Sequence, residues 1–232
     1  MGAVFRQEKK FLLSYPEFRK CSNLFDKVLI SDSHNIGDMG YKIRSLYFDS
    51  LNDRDFNDKD AGVEIRRKIR LRIYDPNQKF ATLEMKQKNG ANQLKRGVKI
   101  TKEDAISLIA GNYSVLLKYD EFAAECFGVM NMYCYKPKTV VEYRRKAYIA
   151  KENDIRITFD YEIKSSETNF NIFDDALILN DSFDKDKVVL EVKYNHFLLS
   201  YIKDLLDGVQ KSELSVSKYC LARAISKNYI YM

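Results

Sequence analysis

From Val63 to Tyr74 the chain alternates without a break: Val63, Ile65, Arg67, Ile69, Leu71 and Ile73 are interleaved with Glu64, Arg66, Lys68, Arg70, Arg72 and Tyr74. A period of two means a β-strand, because successive side chains point to opposite faces. In Phe80–Lys88, Ala81, Leu83 and Met85 oppose Glu84, Lys86 and Lys88. In Ile155–Tyr161, the apolar Ile155, Ile157, Phe159 and Tyr161 oppose Arg156, Thr158 and Asp160. In Val188–Asn195, Val188, Leu190, Val192 and Tyr194 oppose Glu191 and Lys193. Val4–Leu12 is looser, with Arg6, Glu8 and Lys10 on one face and Phe5, Gln7, Lys9 and Phe11 on the other. Further strands are expected at Lys42–Asp49, Lys95–Ile100 and Thr139–Ala150.

Helices are expected between the strands. Ser14-Tyr-Pro-Glu17 reads as a capping box with proline in the first turn, and Phe18, Cys21, Phe25, Val28 and Leu29 follow at helical spacing. Thr101 is placed to cap a helix running to Gly111. Ser114–Met130, His196–Leu206 and Ser217–Asn228 are further helical segments. Residues 162–187 are polar and acidic and read as a rim loop with a short element. The fold class expected is α+β in one domain over residues 1–232, with about eight mainly antiparallel strands.

Each charged face mixes Lys or Arg with a carboxylate, while the opposite faces are aliphatic or aromatic. If the helices cover the apolar faces, the sheet curls with its charges inward, and closure also removes exposed edges. The expected result is a closed barrel with a cationic lumen. Like charges gathered there repel by several kcal/mol unless neutralised. A polyphosphate, a triphosphate or a nucleoside triphosphate would neutralise them, with carboxylates left for a divalent metal. The net charge is only +6, from 39 Lys and Arg against 33 Asp and Glu. That suits a concentrated internal field better than a broad basic surface for duplex nucleic acid.

Other classes of chemistry have little material. Cys21, Cys126, Cys134 and Cys220 show no C-x-x-C spacing, and His34 and His196 are the only histidines. A zinc site, a disulfide framework and histidine-centred catalysis are therefore not expected. No apolar run approaches the ~20 residues that cross a bilayer, and the N-terminal residues lack the apolar region of a signal peptide. A cytoplasmic protein without direct membrane insertion is the expectation.

The motifs, taken in order, carry a resemblance. R-x-E-x-K (Arg6, Glu8, Lys10) is followed by SLYFDS (Ser45–Ser50), KIRLRIYD (Lys68–Asp75) and LEMKQK (Leu83–Lys88). EYRRKAY (Glu142–Tyr148), DIRITFD (Asp154–Asp160), LEVKY (Leu190–Tyr194) and SVSKYCLA (Ser215–Ala222) complete the series. Each is short, but together and in this order they are specific. Over nearly its whole length the chain resembles the VTC domain, the polyphosphate polymerase domain of the vacuolar transporter chaperone complex, within the CYTH-like triphosphate tunnel metalloenzymes.

The resemblance implies a helix-flanked antiparallel tunnel and transfer of the γ-phosphate of ATP to polyphosphate with a divalent metal, Mn2+ or Mg2+. By motif position, phosphate would be bound by Lys10, Arg70, Arg72, Lys86, Arg145, Arg156 and Lys193, with Lys95 or Arg96 as a further contact. Glu191 looks like the metal ligand and Glu8 a second one. Arg70, Arg72 and Lys218 would act on the reacting phosphates. Arg145 fits the motif but falls on the face opposite Glu142, Arg144 and Lys146, which a bulge would reconcile. Asp160 is expected to orient Arg156 or to end its strand. Ser215 stands where the family usually has a basic residue. Partners implied are ATP and polyphosphate or triphosphate, not nucleic acid, and a membrane protein is compatible with the resemblance. A tunnel triphosphatase or nucleoside triphosphate phosphohydrolase, and a non-catalytic polyphosphate-binding module, remain as alternatives.

Overall fold

The alternating segments become strands of an antiparallel sheet in the computed structural model, which describes residues 6–90, 92–206 and 217–229. The strands are β1 (Arg6–Ser14), β2 (Ile30–Ser31), β3 (Tyr41–Asp49), β4 (Ile65–Ile73), β5 (Phe80–Asn89), β6 (Asn92–Thr101), β7 (Lys136–Ala150), β8 (Ile155–Ser166), β9 (Asn180–Asp181) and β10 (Lys187–Asn195). Helices α1 (Tyr15–Val28), α2 (Arg54–Asp60), α3 (Lys102–Ile109), α4 (Glu121–Met132), α5 (Ser200–Leu206) and α6 (Lys218–Tyr229) complete an α+β architecture.

The strands hydrogen-bond in the order β1-β10-β8-β7-β3-β4-β5-β6, with β2 beside β7 and β9 beside β8. This order has two ends, β1 and β6, and no ladder joins them among the described residues. The closed barrel expected from sequence is therefore an open sheet. Alternation decides which face of a strand is buried; whether the end strands meet depends on twist and stagger, which a period of two does not encode.

The chain divides into two compact units, each with its own core. The described residues of the first fall within Met1–Lys42, Tyr143–Ile163 and Phe183–Ser217. Its helix α1 starts as the sequence indicates: the Glu17 amide donates to Ser14 Oγ, and the Ser14 amide donates to Glu17 Oε2 at 2.7 Å. The helix turns Phe18, Cys21 and Phe25 onto the strands, where Phe18 lies 5.0 Å from Phe159 and Phe25 lies 5.6 Å from Tyr148 between ring centroids. Val188, Leu190 and Val192 of β10 and Ile155 and Ile157 of β8 fill the rest of that core. Each fully buried ring or aliphatic side chain contributes about 1.5–3 kcal/mol. The other face of these strands carries Glu8, Lys10, Arg156, Thr158, Asp160, Glu191 and Lys193.

The second unit covers Ile43–Glu142, Lys164–Ser182 and the described residues from Lys218 onward. Leu46 and Phe48 of β3, Ile69, Leu71 and Ile73 of β4, and Ala81, Leu83 and Met85 of β5 pack against Ala105 and Leu108 of α3 and Phe122, Cys126 and Met130 of α4. Burial pushes the Cys126 thiol up to about 12, so this cysteine is a packing group. Thr101 caps α3 as expected, accepting from the Asp104 amide at 3.2 Å. The helix expected over 114–130 is divided. A 3-10 turn over Tyr113–Lys118 ends before Asp120, whose side chain accepts from the Ala123 amide at 2.9 Å and starts α4 anew. Similarly, the helix expected from His196 begins at Ser200.

Helix α2 has no counterpart in the sequence reading. It follows Asp53, which takes a left-handed φ of 53°, and it is pinned by buried Asp49, whose carboxylate accepts from the amides of Asp55 and Phe56, each at 2.9 Å.

Candidate functional site

In the second unit the register of β4, β5 and β6 sets the charged face out in rows. Lys68, Lys86 and Lys95 are adjacent across the strands, the next row is Arg70, Glu84 and Gly97, and the one after is Arg72, Thr82 and Lys99. Side chains directly opposite one another on such a face are about 5 Å apart, and like charges in that position destabilise the sheet. Glu84 is the hub that offsets this. Its Oε2 receives both Nε and Nη2 of Arg70 at 2.7 Å, its Oε1 lies 2.6 Å from Lys95 Nζ, and Arg72 Nη1 lies 3.8 Å from Oε2. Burial alone would raise the Glu84 pKa, but Arg70, Arg72 and Lys95 outweigh it and bring it down to about 2. Gly97, opposite Glu84, has no side chain to crowd this cluster; a Cβ there would lie 3.5 Å from Glu84 Cγ.

The same register puts Lys95 and Arg96 on opposite faces of β6. Lys95 faces Glu84, while Arg96 points to the helix side, where it binds both carboxylate oxygens of Glu125 at 2.6 and 2.7 Å and lies over the Phe122 ring. Arg96 is a structural ion-pair partner of α4.

Tyr47 of β3 accepts from Arg70 Nη1 at 3.0 Å and stacks on Tyr219 of α6, with ring centroids 5.1 Å apart. Burial would raise the Tyr47 pKa, yet the surrounding Arg70, Arg72 and Lys68 pull it down to about 8. Tyr219 donates to Asp49 at 2.6 Å. Arg223 and Lys227, further along α6, each lie 2.9 Å from Asp53 Oδ2, and Lys138 lies 2.9 Å from Oδ1. The Tyr219 bond and ring contact hold the start of α6, where Lys218 is the first residue, beside β3. Ser215 lies outside the described residues.

In the first unit Glu8, Lys10, Glu191 and Lys193 form an alternating square. Lys10 Nζ is 2.9 Å from Glu8 and 3.5 Å from Glu191; Lys193 Nζ is 2.6 Å from Glu191 and 3.7 Å from Glu8. Burial would lower the Lys10 pKa, but the two glutamates hold it above its ordinary value. Arg145 binds Asp160 through Nε and Nη2 at 2.6 and 2.7 Å, with Asp160 fully buried. Arg156 lies 2.8 Å from Asp32 and 3.3 Å from the Tyr41 hydroxyl. Asp160 therefore orients Arg145, and Asp32 takes the place expected for it beside Arg156. Plain alternation along β7 accounts for Arg145: Arg144 pairs with Glu162, and Lys146 with Asp26 of α1. Asp32 lies outside any periodic segment, so no sequence signal marks it. Tyr47 was legible, since alternation in SLYFDS puts Ser45, Tyr47 and Asp49 on one face.

The described residues contain no cluster of three or more His, Cys, Asp and Glu side chains that would enclose a metal. Glu8 and Glu191 nevertheless fit a hard divalent cation that takes its remaining oxygens from phosphate and water. The register places Thr158 opposite Glu191, and its Oγ1 is a buried oxygen without a hydrogen-bond partner. All three residues offer oxygen alone, the donor set that Mg2+ and Mn2+ prefer.

A family model described as the VTC domain matches residues 5–227. No curated protein sequence matches the chain. Among solved structures, a protein described as a candidate adenylate cyclase from Bacillus halodurans is 13% identical, with 94% of this chain and 96% of that one covered at a TM-score of 0.52. A second protein so described, from Vibrio parahaemolyticus, is 12% identical, with 95% and 98% covered at a TM-score of 0.50. At these identities the likeness is one of fold. No helix among the described residues is long and apolar enough to cross a membrane.

Proposed function

The chain belongs to the VTC domain family, and from that premise we propose that it is a metal-dependent phosphotransferase that moves the γ-phosphate of ATP onto a polyphosphate chain. The observation that carries this reading is the set of cationic rows on β4, β5 and β6, with Glu84 as the carboxylate among Arg70, Arg72 and Lys95. A phosphate chain brings negative charge at short, regular intervals and relieves the repulsion between those rows. Arg70 and Arg72 grip phosphate oxygens in a fork, and Lys86 and Lys95 act as point charges. Lys10, Arg145, Arg156 and Lys193 supply the phosphate contacts of the other unit.

An arriving phosphate competes for Lys10 and Lys193 and frees Glu8 and Glu191, which would hold Mn2+ or Mg2+. The cation, when bound, supplies neutralisation of charge on the phosphate oxygens. An oxygen of the terminal phosphate of the chain forms the new bond to the γ-phosphorus. The bond from that phosphorus to the β,γ-bridging oxygen breaks, and ADP leaves with the electron pair. The attacking oxygen is already ionised, so no base is required; Lys218 offsets its charge as it approaches. Water as the nucleophile would give hydrolysis instead. The partners in this reading are ATP and polyphosphate or triphosphate, not nucleic acid, and the setting is the cytoplasm.

Incubating the purified protein with ATP and Mn2+, with products resolved on a gel, tests it. A ladder of growing chains supports the polymerase. Free phosphate without chains overturns it in favour of a hydrolase. No turnover with tight binding of added polyphosphate overturns it in favour of a binding module.

A further inference from the structure

The charged face of β4 and β5 does not end in charge. Along it the register runs Lys68 with Lys86, Arg70 with Glu84 and Arg72 with Thr82. The alternation then brings Tyr74 and Phe80 to the end of the hairpin. A cleft of about 230 Å³ opens there, lined by Arg72, Tyr74, Gln78, Lys79, Phe80, Thr82 and Lys99. Tyr74 is 44% exposed and Phe80 is 54% exposed, so these rings are not spent on the core. The Gln78 side-chain oxygen Oε1 accepts from the Tyr74 amide at 2.8 Å and fixes the turn that presents both rings.

We propose that this cleft is a nucleobase subsite, so that the second unit holds the base of a nucleoside triphosphate as well as its phosphates. The inference rests on the phosphate-binding reading above and adds to it the residues that would receive the base. Arg72 is the link, since it lies near Glu84 in the phosphate-binding cluster and also lines the cleft. A nucleotide whose phosphates lie on Arg70 and Arg72 has its nucleoside beside them. On one side of Arg72 the neighbours are guanidinium and ammonium groups; on the other they are two aromatic rings. A base stacks on exposed rings in a sequence-tolerant way, because every base has a π face. Lys79 and Lys99, at the rim of the same cleft, suit the α-phosphate and the ribose hydroxyls.

The test is calorimetric titration of the protein with ATP and, separately, with inorganic tripolyphosphate, in EDTA so that binding is read without metal or turnover. The double variant Tyr74→Ala/Phe80→Ala is expected to bind ATP about tenfold more weakly, in line with loss of base stacking, and to bind tripolyphosphate within about twofold of the unaltered protein. Retained tripolyphosphate binding also shows that the variant is folded. Unchanged ATP affinity in the variant overturns the base subsite and leaves the phosphate reading intact. An equal loss for both ligands overturns it too, because the rings would then act on phosphate binding alone. If the unaltered protein binds neither ligand, the phosphate reading falls and the subsite with it.

Discussion

Arg70 and Glu84 face each other across β4 and β5, with two guanidinium nitrogens, Nε and Nη2, both 2.7 Å from the same carboxylate oxygen. The other oxygen of Glu84 belongs to Lys95 at 2.6 Å. One carboxylate thus orients cations from two neighbouring strands, leaving the cluster net positive and pre-formed for an anion. Pre-formation limits the ordering cost when a phosphate arrives.

Glu84→Gln keeps the shape and removes the charge. The cations then repel one another in a partly screened site, and stability is expected to fall by about 2 kcal/mol at neutral pH. Tripolyphosphate should raise the melting temperature of this variant more than that of the unaltered protein, because the ligand supplies the missing charge. The folded-state pKa of Glu84 is about 2 against an ordinary 4.5. A lowered carboxyl pKa stabilises the fold fully above the unfolded value, and that contribution is lost as pH falls through the folded one. Acid unfolding should therefore show a loss between about pH 4.5 and 2 that Glu84→Gln lacks. Parallel curves for the two proteins in that window would exclude Glu84 as the hub.

The square of Glu8, Lys10, Glu191 and Lys193 predicts coupling between two ligands. The glutamates are occupied by lysines, so a cation alone must displace them; a phosphate chain does so in advance. Mn2+ binding, measured by calorimetry, should tighten by about tenfold or more in tripolyphosphate, and tripolyphosphate binding should tighten by the same factor in Mn2+. Glu191→Ala should abolish the coupling and turnover while sparing metal-free chain binding. Coupling retained in Glu191→Ala would remove that residue from the metal site.

Much of this was legible because a period of two reports on facing. Arg70, Arg72, Lys86 and Lys95 stand on a common face from alternation alone, and Glu191 shares one with Lys193. What alternation omits is the partner that comes from elsewhere in the chain. Asp32 reaches Arg156 from outside the periodic strands, and Asp160 serves Arg145, which lies on a different strand. Helix α2 was not legible because its start depends on amides bound by buried Asp49, a tertiary contact rather than a local propensity. The break at Asp120 lay hidden within an apolar spacing that reads equally well as one helix. Closure of the sheet is a property of its ends, on which no residue pattern reports.

Lys218 and Tyr219 are neighbours at the start of α6 with separable roles. Tyr219 donates to buried Asp49, and its ring lies on Tyr47. Tyr219→Phe keeps the ring and removes the bond, at an expected cost of about 1–2 kcal/mol in stability. Lys218→Ala should lower turnover at least tenfold with ATP binding retained. An unaltered turnover in Lys218→Ala would sink its role at the reacting phosphates.

Asp55 gives the fold a pH dependence opposite in sign to that of Glu84. It is buried, accepts from the Tyr135 hydroxyl at 2.9 and 3.0 Å, and its pKa is raised from 3.8 to about 8, first by burial and then by the charge of Asp49. The folded protein thus holds a proton that the unfolded chain releases. Such a group favours the fold fully below the unfolded value, and its contribution is lost as pH rises toward the folded one. Between about pH 4 and 8 the protein should therefore lose stability through Asp55, and Asp55→Asn, which cannot ionise, should not. The amide keeps an acceptor for Tyr135. At pH 7 the variant should be more stable by at least about 1 kcal/mol, a rise in melting temperature of about 2–4 °C. Thermal melts of the two proteins across that range should diverge with rising pH and run parallel above about pH 8. A gap that stays constant from pH 4 to 8 would show that Asp55 is charged in the folded state and paired in a way its bonds to Tyr135 do not reveal.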